Sequence, residues 1–93
     1  MSNLQVRIHP QVRFVEKEGA AVLLQLDRGR YQSLNGSGLT IWSDIGNGTT
    51  VDDLVSRMCS RHPGVARQRI DDDVRKFLAQ LQSRGVVTLE AAP

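Results

Sequence analysis

The sequence predicts an α+β domain in which a three-stranded antiparallel sheet is followed by three helices. Two turn signals, Lys17-Glu18-Gly19 and Asp27-Arg28-Gly29, divide residues 12–34 into three short β-type runs. After Leu34 the apolar period switches from two to 3.6 residues. The chain of 93 residues has room for a single core. A three-stranded sheet with one apolar face is not stable alone, so the helices must cover one side of it.

Residues 1–11 carry His9-Pro10 and little pattern, and are expected to form a loose lead-in with a short extended stretch at Gln5–Ile8. His9 reads as solvent-exposed. Val12-Arg13-Phe14-Val15 is β-rich, Ala20 to Leu26 is an apolar run of strand length, and Arg30-Tyr31-Gln32-Ser33-Leu34 is a third extended segment. Asn35 is an N-cap residue type, and Gly38, Ile41, Trp42 and Ile45 fall on one helical stripe. Gly46-Asn47-Gly48 ends that helix. Thr50-Val51-Asp52-Asp53 resembles a capping box and starts a second helix with Val51, Leu54, Val55 and Met58 inward; His62-Pro63-Gly64 stops it. The third helix runs from about Ala66 to Arg84, with Ile70, Val74, Phe77, Leu78 and Leu81 on one side and Gly85 as its C′ residue. Val86–Leu89 forms a short strand or an extended tail, and residues 90–93 are expected to fray. The organised domain is thus expected to span 12–89.

Composition excludes several functions. Twelve Lys and Arg face ten Asp and Glu, a net charge of +2. The bases are spread, five against three acids over residues 1–31, two against three over 32–66 and five against four over 67–93. No segment holds the concentrated basic field of a nucleic-acid binder. The single Cys59 cannot form an internal disulfide, which points to a reducing, cytoplasmic setting. No apolar run approaches the ~20 residues of a membrane span.

Catalytic chemistry is sparse. Cys59 and His62 lie three apart without a third orienting group, so they read as a half-buried structural cysteine and a helix-end histidine. One Cys and two scattered His do not supply a structural zinc site. Successive residues Asp71, Asp72 and Asp73 point about 100° apart on a helix and do not converge on one cation. They complement the helix dipole, with Asp71 placed to pair with Arg75 and Asp72 with Lys76. Gly36-Ser37-Gly38 lacks the Lys-[Ser/Thr] of a phosphate loop. No catalytic residue, cofactor or metal is expected.

The meander does offer an open edge. Its third strand has no partner on the far side unless a terminal segment supplies one, and such an edge accepts an extended peptide by β-augmentation. If the third helix lies beside that strand, the groove between them holds roughly five to eight extended residues, at ~3.3 Å each. Dimerisation through the same edge is the competing use.

The series Leu26-Asp27-Arg28-Gly29-Arg30-Tyr31-Gln32-Ser33-Leu34-Asn35, Ile41-Trp42, Ile45-Gly46, Thr50-Val51-Asp52-Asp53-Leu54, Ile70-Asp71-Asp72-Asp73-Val74, Phe77-Leu78, Leu81 and Gly85-Val86-Val87 resembles the PqqD-like proteins over about residues 12–89. The resemblance implies a winged helix-turn-helix-like recognition element for ribosomally synthesised, post-translationally modified (RiPP) precursor peptides. Such an element is a non-catalytic adaptor. It binds a precursor's leader as an added strand against the third helix and presents it to processing enzymes, here most similar to those serving the leader peptidase of lasso-peptide pathways. By position, Arg30, Tyr31, Gln32, Ser33 and Leu34 would offer the edge, Val74, Phe77, Leu78 and Leu81 the apolar wall, and Val22 the floor. Asp72 and Asp73 would meet basic leader residues. The alternatives are a chaperone for a radical enzyme in quinone-cofactor synthesis, as in PqqD itself, and a winged-helix DNA binder. The latter is opposed by three Asp following Arg67 and Arg69 on the candidate recognition helix.

Overall fold

The computed structural model describes residues 4–18, 20–46 and 48–91. In chain order these form β1 (Leu4–Ile8), β2 (Val12–Lys17), β3 (Ala20–Gln25), β4 (Arg30–Leu34), α1 (Gly36–Ile45), β5 (Thr49–Thr50), α2 (Val51–Arg61), α3 (Arg67–Ser83) and β6 (Val87–Ala91). The expected meander is present as the sheet β2-β3-β4, and the three helices follow it. Lys17 pairs with Ala20, and Glu18 between them has φ 53°, the positive sign that tight hairpin connections favour. The second hairpin closes on the pair Gln25 and Arg30, with the Gly29 N–H donating to the Gln25 carbonyl at 2.9 Å.

Register fixes the two faces of the meander. Ala21, Leu23 and Gln25 stand beside Leu34, Gln32 and Arg30, and the first three are almost inaccessible to solvent. This inner face meets the helices; Phe14, opposite Leu23, lies 6.4 Å from Trp42 of α1 between ring centroids. Val15, Val22 and Ser33 share the opposite, outer face. Gln25, the buried polar residue of the sheet, donates from Nε2 to the Arg84 carbonyl at 2.7 Å and so ties the sheet to the end of α3.

The lead-in is not loose. Leu4–Ile8 is the central strand of a second sheet, β5-β1-β6, antiparallel to both neighbours. Leu4, Val6 and Ile8 pair with Ala91, Leu89 and Val87, and Val6 and Val87 are fully buried where the sheet meets α2 and α3. The alternation Leu-Gln-Val-Arg-Ile explains this: it is a half-buried strand pattern one face of which needs a cover. The tail is corrected likewise, since Glu90 and Ala91 pair with Gln5 and Leu4; residues 92–93 lie outside the described residues. His9 is half-buried between the sheets, its N–H donating to the Val86 carbonyl at 2.9 Å and its Nε2 3.7 Å from Asp27.

The helices bury the faces that their spacing predicts: Ile41, Trp42 and Ile45 of α1, Val51, Leu54, Val55 and Met58 of α2, and Ile70, Val74, Leu78 and Leu81 of α3. Thr50 caps α2, its hydroxyl accepting from the Asp53 N–H at 3.2 Å. Asn35 occupies the cap position of α1, but its side chain makes no capping hydrogen bond. Asp44, near the end of α1, is gripped by the Arg61 guanidinium through both carboxylate oxygens, which joins α1 to α2 and raises the Arg61 pKa above its usual value, chiefly through that hydrogen bond. Among the described residues no helix is long and apolar enough to cross a membrane.

Candidate functional site

The free edge of β4 is defined by one hydrogen bond on the other side of the sheet. The Leu26 N–H donates to the Gln11 carbonyl at 2.9 Å, and these residues stand directly opposite each other one step beyond the pair Val12 and Gln25. In an antiparallel ladder bonded and non-bonded pairs alternate. The Gln25, Leu23 and Ala21 backbones therefore turn toward β4, and bond Arg30, Gln32 and Leu34. Tyr31 and Ser33 are left with their N–H and C=O groups directed away from the sheet, where among the described residues the order β2-β3-β4 supplies no partner. Tyr31 is 76% exposed. The five residues expected to form the edge thus divide into two that present it and three that hold it to β3; Leu34 is a core residue at 6% exposure.

Beyond β4 the chain turns directly into α1, and a groove of about 570 Å³ lies between the start of α1, the end of α2 and one side of α3. Its apolar surface comes from Ile41, Met58, Val65, Ile70, Val74 and Phe77, and its exposed polar border from Ser37, His62, Arg69, Asp73, Lys76 and Gln80. Phe77 approaches α1 closely at Gly38, where an added Cβ would lie 3.1 Å from the ring. A side chain at position 38 would push the Phe77 ring, which lines the groove.

Several expected site residues fall elsewhere. Leu78 and Leu81 are fully buried in the core and do not line the groove. They lie on the flank of the α3 stripe that meets its neighbours in the core. Val22 is not among the residues that line the groove; strand alternation puts it on the outer face beside Val15 and Ser33. Asp72 is exposed and accepts a hydrogen bond from Gln68 at 3.0 Å, away from Lys76 and from the groove. Asp71 does pair with Arg75, at 2.7 Å. Of the expected residues, Asp73, Val74 and Phe77 line the groove; no residue of β4 does.

Sequence reasoning missed Arg69, Lys76 and Gln80, although with Asp73 they follow the spacing i, i+4, i+7, i+11 and form the polar border of the apolar stripe. The α1 and α2 contributions had no local signal, since they arise only from packing. Among the described residues no three His, Cys, Asp or Glu side chains gather as a metal site would require. What the groove offers is an apolar slot with a charged rim, reached from the β4 edge through Asn35 and Gly36, which lead into Ser37 on that rim.

Comparison with known proteins agrees with this architecture. A family model described as Coenzyme PQQ synthesis protein D (PqqD) matches residues 20–87. No curated protein matches the chain. TbiB1, solved in complex with the TbiA(beta) leader peptide, aligns with a TM-score of 0.76 at 28% identity, over 87% of this chain and 93% of that one. Lasso peptide synthetase B1, solved with its leader peptide, has the same α+β fold, with a TM-score of 0.76 at 20% identity over 89% and 96% of the two chains.

Proposed function

This chain belongs to the PqqD family and has the fold of a RiPP recognition element, and from that premise we propose that it is a non-catalytic adaptor for the leader of a ribosomally made precursor peptide. The leader adds to the edge of β4 as an antiparallel strand and sets an apolar anchor into the groove beside α3. The adaptor then presents the attached core to a processing enzyme, a leader peptidase of the lasso-peptide type.

The observation that carries this reading is the unpaired edge at Tyr31 and Ser33 on a strand that runs directly into α1, whose Ser37 and Ile41 line an apolar groove. Main-chain bonds to the edge supply affinity without regard to sequence, while the groove around Phe77 supplies selectivity. Ordering a flexible leader costs on the order of 2–5 kcal/mol, so the edge bonds need an anchor of this kind. The leader complex of TbiB1, 28% identical to this chain, supports the same class of ligand.

The test is titration of a fluorescent leader, from the precursor encoded alongside this chain, into the purified protein. Ser33→Pro removes an outward N–H while sparing the bonds to β3, a substitution that edge strands tolerate. It should weaken binding by at least roughly tenfold, or about 1.4 kcal/mol. Phe77→Asp should do the same through the groove, with circular dichroism showing that both variants remain folded. Unchanged affinity in both variants would sink the assignment.

A further inference from the structure

We propose that the groove selects leader segments whose apolar anchor is flanked by acidic side chains, received by Arg69 and Lys76. The inference rests on the leader-binding reading and names the chemistry of the segment bound. It differs from the expectation that Asp72 and Asp73 meet basic leader residues.

Arg69, Asp73 and Lys76 follow one another along the groove rim on α3. Elsewhere on the surface, cations near acids are engaged: Arg75 by Asp71 at 2.7 Å, Arg7 by Glu90 at 2.9 Å, and Arg61 by Asp44. Among the described residues no ion pair includes Arg69, Asp73 or Lys76, although Asp73 is spaced i+4 from the first and three before the second, where helical pairs commonly form. The three charges face the groove instead of one another. Their order is positive, negative, positive, so the rim carries one net positive charge, and the acid at its middle repels an acidic anchor.

Geometry matches that order to an extended peptide. Seven helical residues from Arg69 to Lys76 advance about 10 Å along α3. In a strand running along it, side chains facing the helix recur every second residue, about 6.6 Å apart. An apolar anchor opposite Asp73 and Phe77 would then carry Asp or Glu two positions before and after it, within reach of the long Arg and Lys side chains. Because the slot beneath the rim is apolar, these pairs form at its border and remain sensitive to salt.

The test is selection of a displayed library of random 12-residue peptides on the purified full chain, followed by sequencing. The expected motif is an apolar residue with Asp or Glu two positions away on one or both sides. Replacing either acid by its amide in a selected peptide should weaken binding about three- to fivefold at low salt, and that difference should shrink in 0.5 M salt. The double variant Arg69→Glu, Lys76→Glu alters two exposed side chains and should turn the enrichment toward Lys and Arg. Anchored peptides without acidic enrichment, or an enrichment unchanged in the double variant, would overturn the inference and leave leader binding standing. A selection yielding no peptide whose binding Phe77→Asp abolishes would overturn both.

Discussion

Gln32 carries two opposed demands at one position. Its backbone belongs to the bonded pairs with β3, while its side chain stands on the inner face opposite Leu23. There its Oε1 is buried without a hydrogen-bond partner among the described residues, a condition that costs about 1–3 kcal/mol. Gln32→Met keeps the length of the side chain and removes the orphaned acceptor. It should raise stability by about 1 kcal/mol and the melting temperature by roughly 4–8 °C, read by thermal unfolding; a lowered melting temperature would show that the amide has a partner. Five strand residues look equivalent in the sequence, and proline at any of them looks disruptive to a bound peptide. Only the phase of the ladder separates Gln32, where proline would break the sheet, from Ser33, where it would block the edge. That phase is set by Leu26 against Gln11, two residues whose partnership no local pattern reveals.

At the scale of elements, α3 shows what periodicity can and cannot tell. The stripe Ile70, Val74, Phe77, Leu78, Leu81 was legible because a 3.6-residue period is a property of the helix itself. Which flank is core and which lines a groove was not, since α1 and α2 decide it: Leu78 is sealed off while Phe77 stays half-buried against Gly38. The end of α3 was legible down to the residue. Gly85 has φ 79°, its N–H donates to the Gln82 carbonyl at 3.0 Å, and the Val86 N–H donates to the Leu81 carbonyl at 2.9 Å; together these make a Schellman termination with its apolar pair, Leu81 and Val86, fully buried. A Cβ at position 85 would also lie 3.1 Å from the Arg28 guanidinium. Gly85→Ala should therefore cost about 1–2 kcal/mol through the left-handed backbone alone, seen as a lower urea midpoint with an unchanged slope. A midpoint equal to that of the parent protein would mean that the turn relaxes away from this conformation.

For the whole molecule, the organising feature is that the first and last strands, β1 and β6, meet in one sheet. β1 and β6 pair along their full length, and Val6, Val86 and Val87 close the bottom of the core beneath α2 and α3. The groove and the β4 edge lie elsewhere and contain no residue of β1. A reading in which residues 1–11 are a loose lead-in predicts that they can be removed without effect. The structure predicts the reverse. Deleting residues 1–8 strips β6 and β5 of their common partner and uncovers the inward side chains of Val87 and Leu89. Losing the burial of Val6 alone is worth about 1.5–3 kcal/mol, and the orphaned strands add to it, against a total stability of about 5–15 kcal/mol for a domain. The truncated chain should lose its cooperative melt at physiological temperature, and Val6→Asp in the full chain should reproduce most of that loss. Arg7→Ala, which changes an exposed side chain on the other face of the same strand, should leave the melt nearly unchanged. Leader affinity should vanish in the deletion in proportion to the unfolded fraction and remain intact in Arg7→Ala. A truncated protein that melts and binds like the full chain would show that the second sheet is dispensable, and that β2-β3-β4 with the three helices forms a self-sufficient unit.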